Sequence, residues 1–149
     1  MTNSNLMIDI NTLKSEIQNQ THLCDNIFKL DDTKKDDIND LLESTISKIE
    51  IFKYYQKVLN IRNFIEIITY NEKEMTVSTL IKIKETLLLK KNLKNSLIHT
   101  SPAHKDLIEI SLKAFQDVQE YKKQLSVIHI VLEKFNNEQF EIKDYEWIK

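Results

Sequence analysis

Four histidines, a single cysteine and two acidic clusters are the residues of this chain whose types can carry chemistry, and their spacing limits each one. Bundle metal sites pair Glu-x-x-His motifs on facing helices, because residues i and i+3 share a helix face. No Glu stands three residues before His22, His99, His104 or His129. His99 and His104 flank a proline break with no acidic partner at ligand spacing. The carboxylates of Asp36, Asp37 and Asp40, and of Glu138, Glu141 and Asp144, form two contiguous runs. Each run reads as a solvated acidic edge, since helical Mg²⁺ sites draw acidic pairs from two separated helices so that the ligands converge. Cys24 lies on an apolar stripe, as a structural thiol does, and no Ser/His/Asp spacing forms a triad. The expectation is a protein with no catalytic residue, no metal, no cofactor and no small-molecule substrate.

Lysines are the next candidates. Lys82, Lys84, Lys90, Lys91 and Lys94 crowd one stretch, and Lys84, Lys91 and Lys94 recur at helical spacing. Such a stretch can neutralise phosphates on a nucleic-acid backbone. Glu85 interrupts it, no aromatic residue interleaves, and arginine, the preferred bidentate phosphate donor, occurs in the chain only as Arg62. Nucleic-acid contact through Lys84, Lys90, Lys91 and Lys94 is therefore the alternative reading.

These residues must be held by elements that need no glycine. The chain has 149 residues with Gly 0 and Pro 1, where average usage predicts about ten glycines. That composition excludes Gly-rich phosphate loops and nucleophile elbows, and it disfavours hairpin turns that require positive φ. Hydrophobic residues at 41% and charged residues at 30% mark a folded helical domain with a solvated face. The net charge of −2 supplies no field towards nucleic acid or acidic lipid. No apolar run reaches the ~20 residues of a membrane span. Residues 1–5 lack a signal-peptide pattern, and one unpaired cysteine suits a reducing compartment, so the expected location is cytoplasmic.

Apolar periodicity predicts four helices, at about 10–30, 37–70, 77–98 and 102–137. In the first, Ile10, Leu13, Ile17, Cys24 and Ile27 step by three and four, with Gln20 as a polar seam position and Asp9 as the expected N-cap. Thr33 and Asp36 resemble a capping box before the second helix, whose stripes are Ile38, Leu42, Ile46 and Ile49, then Tyr54, Val58, Ile61, Ile65 and Ile68. Residues 71–74 read as a short polar connection. Thr76 is the N-cap of the third helix, with Met75 as its hydrophobic staple on Leu80. Ser101-Pro102 starts the fourth. The expected fold is a single all-α domain over residues 1–149. It is an elongated antiparallel four-helix bundle of coiled-coil character, ending in a short aromatic extension from Phe140 to Ile148.

One stretch carries a resemblance. Asn60-Ile61-Arg62-Asn63, then Met75-Thr76-Val77-Ser78-Thr79-Leu80, Leu87 and Leu97, with the terminal Tyr145-Glu146-Trp147-Ile148, resembles the bacterial DIP1984 (septicolysin) family, whose function is unknown. The family's Gly before the Thr and its Thr-Thr ending are absent here. The resemblance implies a helical coiled-coil scaffold without an active site.

The functional expectation is a non-catalytic interaction or scaffolding protein that packs helix on helix with itself or with a protein partner. The second helix supplies the motive. From Ile49 to Ile68 its apolar residues wrap more than half the circumference, and such a helix must be covered on several sides. Tyr54, Val58, Ile61, Phe64, Ile65 and Ile68 are the expected self-association surface of a homodimer. The competing arrangement folds the 140–148 segment back over that end of the helix and leaves a monomer.

Overall fold

Capping begins at the second residue. The Thr2 hydroxyl accepts the Asn5 backbone N–H at 3.1 Å, so α1 runs Asn3–Leu30 and the expected start at residue 10 is several residues late. The computed structural model describes residues 1–30, 35–98 and 105–148. The remaining elements are α2 (Lys35–Ile65), β1 (Ile67–Tyr70), β2 (Lys73–Thr76), α3 (Val77–Asn95), α4 (Lys105–Asn136) and a 3₁₀ turn over Ile142–Ile148. The capping box at 33–36, the Ser101-Pro102 start, His99 and His104 lie outside the described residues. Helix dominates, with one small two-stranded sheet. These residues divide into two compact units, 1–62 with 136–149, and 63–135.

In the first unit, α1 and α2 form an antiparallel hairpin. Glu16 meets Lys48 and Gln20 meets Thr45, so position rises along one helix as it falls along the other. The predicted seam of α1 is its covered face: Ile10 is buried, and Leu13, Ile17, Gln20, Cys24 and Ile27 are all half-buried. Gln20, the polar seam residue, finds the buried Thr45, whose hydroxyl shares its one proton between Gln20 Oε1 at 3.1 Å and the Leu41 carbonyl at 2.6 Å. A polar pair at a seam position fixes which residues face each other. The core gathers where α1 begins: Leu6, Ile10, Val58 and Tyr145 are buried, with Phe52, Leu59, Phe140 and Ile142 packed on them.

The second unit holds the sheet that the sequence reading missed. Helix α2 stops at Ile65, where a helix to residue 70 was expected, and Ile67–Tyr70 pairs antiparallel with Lys73–Thr76. β-branched and aromatic side chains favour the pleated surface. Ile68, Met75 and Tyr70 turn towards the core, while Ile67 and Thr69 face out. A two-residue loop joins the strands, with Asn71 at φ 49 and Glu72 at φ 62. Positive φ at both central residues is what a right-twisted hairpin requires. The chain meets it without glycine, using Asn, which tolerates that region, and Glu, which does so at a cost of roughly 1 kcal/mol.

The next element follows without a gap. Thr76 is the N-cap of α3, in extended geometry (φ −73, ψ 154), and accepts the Thr79 N–H at 3.2 Å. Met75 packs on the cluster that contains Leu80, as a staple should. That cluster joins Tyr70, Val77, Leu80 and Leu87 to Ile128, Leu132 and Phe135 of α4. An ion pair of 2.9 Å between Lys94 and Asp117 lies further along the same antiparallel pair. Two tight i→i+3 turns end the α3 segment, Leu97 N–H to Lys94 and Ile98 N–H to Asn95.

Candidate interaction surfaces

Arg62, the single arginine, is 4% exposed and organises the first unit. It stands one helical turn after the buried Val58, so the apolar face of α2 carries it inwards. Its Nε donates to Asn3 Oδ1 at 2.8 Å, and its Nη1 donates to the Tyr145 hydroxyl at 3.1 Å. The Phe140 ring lies under the guanidinium at 4.0 Å, and Phe140 and Tyr145 meet edge to face. The Phe140 N–H donates to the Met1 carbonyl at 2.8 Å, and an isolated bridge joins Thr2 to Gln139. A guanidinium needs many partners to be buried, and here α1 and the terminal segment supply Asn3, Phe140 and Tyr145. The site is a clasp, and its cation faces the interior.

This clasp covers part of the wide apolar face of α2. Tyr54 is half-buried, its hydroxyl donating to the Ile142 carbonyl at 3.2 Å. Val58 is fully buried and Ile61 packs on the same core. Phe64 and Ile65, at the end of α2, are exposed, and Ile68 turns on β1 towards the other core. The six residues expected to make one dimer surface are thus distributed over two cores and a helix end. The terminal segment packs against Tyr54, Val58 and Ile61 of α2; Tyr145 is buried there, whereas Trp147 stays exposed. Within the aromatic extension, Ile142–Ile148 forms a 3₁₀ turn.

Apolar surface instead stands open elsewhere. On α2, Leu42, Ile46 and Ile49 are 44%, 58% and 40% exposed. They lie beside the seam residues Leu41, Thr45 and Lys48, which the α1 hairpin covers. On α4, Ile108, Leu112 and Phe115 are 45%, 60% and 51% exposed. Both triplets step by four and then three, the repeat of a coiled-coil seam. One such stripe lies in each unit.

The lysines of the alternative reading separate. Lys90 is exposed, while Lys84, Lys91 and Lys94 lie half-buried along α3. Asp117 holds Lys94: its hydrogen bond first, and its charge second, raise the ammonium's pKa above the ordinary value of 10.5. Lys94 is therefore a tie between α3 and α4. On α4, Lys122, Ser126 and His129 recur at four and three and border a notch with Lys91, a set that sequence reading overlooked. The polar repeat on α4 was its available signal. His22 and His129 are both exposed and Cys24 is half-buried. Among the described residues, no three His, Cys, Asp or Glu side chains come together as metal ligands, and no helix is long and apolar enough to cross a membrane.

No protein family, no curated protein and no solved structure matches this chain.

Proposed function

We propose that this chain is a non-catalytic helical interaction protein of the cytoplasm that assembles with a second copy of itself. The observation that carries the reading is the pair of bare stripes, Leu42–Ile46–Ile49 and Ile108–Leu112–Phe115. An isolated antiparallel helix pair covers one face of each helix, and an adjacent apolar stripe needs another helix against it. A helix from a second copy supplies an identical 4–3 pattern, and a two-fold arrangement closes the assembly. Paired hairpins of this kind make an antiparallel four-helix bundle with coiled-coil packing, here across copies.

The test is light scattering on the purified protein at micromolar concentration. The expected mass is twice the 17.7 kDa of one chain. Ile46→Glu and Leu112→Glu should each return the mass towards one chain, with helical circular dichroism retained. A wild-type mass of one chain rejects self-assembly.

A further inference from the structure

We propose that the notch between α3 and α4, bordered by Lys91, Lys122, Ser126 and His129 beside Leu125 and Ile130, binds the phosphoryl group of a small phosphate ester. The notch lies wholly within the second unit and is a shallow depression of about 610 Å³ that opens broadly to solvent. Two helices contribute to it: Lys91 comes from α3, and Lys122, Ser126 and His129 form one face of α4.

The local charge balance favours an anion. No carboxylate lines the notch. Of the acidic residues on the neighbouring turns of α4, Asp117 is committed to Lys94 at 2.9 Å and Glu120 accepts the Gln124 amide at 3.1 Å. Glu133 stands 3.8 Å from His129 Nε2, both well exposed. Lys91 and Lys122 make no ion pair among the described residues, and together they bring two ammonium groups to one mouth. Lysine ammonium groups are compact point charges with three donors each, suited to a tetrahedral oxyanion, whereas a carboxylate is matched best by a guanidinium fork. The Ser126 hydroxyl now donates to the Lys122 carbonyl at 3.0 Å, and turning outward it would donate to the anion instead. Leu125 and Ile130 present apolar surface beside these donors, which selects an ester with an apolar body over the bare ion.

Three probes separate these features by NMR on the intact chain: phenyl phosphate, inorganic phosphate and phenylacetate, each at matched ionic strength. Phenyl phosphate should give saturable shifts at the Ser126 amide and the His129 imidazole. Inorganic phosphate and phenylacetate should bind at least several-fold more weakly. The double variant Lys91→Gln/Lys122→Gln should lose about tenfold or more of the phenyl phosphate affinity, the scale of two charge-assisted contacts, with its circular dichroism unchanged. No saturable shift at tens of millimolar, equal binding of the three probes, or undiminished binding by the double variant each overturns the proposal. A short single-stranded RNA that binds through the same residues about a hundredfold more tightly also overturns it, and makes nucleic acid the ligand.

Discussion

Among the described residues, the deepest cation lies in the first unit between side-chain oxygens and aromatic rings, whereas the buried residues of the second unit are apolar and aromatic. The difference follows from how each unit is closed. Residues 63–135 are continuous, and a two-residue turn brings β1 and β2 together before α3 begins. Apolar packing suffices there because the elements are already neighbours in sequence. The first unit must in addition recover residues 136–149 from beyond the whole of the second, and Arg62 meets Tyr145 across 83 residues. A buried cation accepts few arrangements of its partners, so it selects one mutual placement of three segments. Apolar contact alone tolerates many.

The largest predicted effects test this contrast directly. Arg62→Met should destabilise the first unit by about 3 kcal/mol, because it removes charge-assisted bonds and strands Asn3 and the Tyr145 hydroxyl. Arg62→Lys should cost nearly as much, since an ammonium lacks the fork that reaches both partners. Leu80→Ala should cost the second unit about 3 kcal/mol through a cavity at a fully buried position. Hydrogen exchange, residue by residue, is the readout. Arg62→Met should speed exchange in residues 1–62 and leave α3 protected, and Leu80→Ala should do the reverse. Uniform acceleration by both variants would break the contrast and make the two units one cooperative block.

A smaller effect separates specificity from stability at the seam. Thr45→Val removes the hydroxyl that Gln20 faces and leaves a half-buried amide short of a partner, at about 1 kcal/mol. The double variant Gln20→Leu/Thr45→Val should recover that loss, because an apolar pair fits the seam, while loosening the match between Glu16 and Lys48. Denaturant midpoints measure the first effect. Exchange broadening of α1 amide signals measures the second.

What the sequence discloses about this protein is what local physics decides. The 3/4 seam of α1, the Thr76 cap and the Met75 staple depend on residues within a few positions of one another, and each is found where the spacing places it. The hairpin escaped because its signal conflicts with its surroundings. Ile67-Ile68-Thr69-Tyr70 continues the apolar pattern of α2, and the turn lacks the glycine that marks a positive-φ loop. The clasp escaped for a different reason: pairing Asn3, Arg62 and Tyr145 is a long-range choice that no window of residues contains. Arg62 could be placed on the inward face of α2 from Val58, but its partners could not. The bare stripe Leu42–Ile46–Ile49 was legible as a stripe, while its exposure depends on which neighbouring face α1 occupies.

The turn offers a gain of stability. Glu72→Gly should stabilise the second unit by about 1 kcal/mol, since glycine enters positive φ without a Cβ clash and Asn-Gly is the favoured pair for this loop. An unchanged or lowered denaturant midpoint would mean that the Glu72 side chain compensates its own backbone.

The smallest effect concerns the tie further along α3. Asp117 raises the Lys94 pKa, chiefly by hydrogen bonding and then by charge, and Tyr121 adds to the same direction. A raised pKa in the folded state means that folding favours the protonated amine. The stabilisation is fully present below the ordinary lysine value of 10.5 and disappears as pH rises through the higher folded value. The second unit should therefore lose a small increment of stability in strongly alkaline solution. Tyrosine ionisation acts there as well, so the informative quantity is the difference between the wild type and Lys94→Met, which retains Tyr121. That difference should shrink across the alkaline range in denaturant titrations. A difference that stays constant with pH would show that Lys94 stabilises α3 and α4 through the packing of its methylene stem and not through its charge.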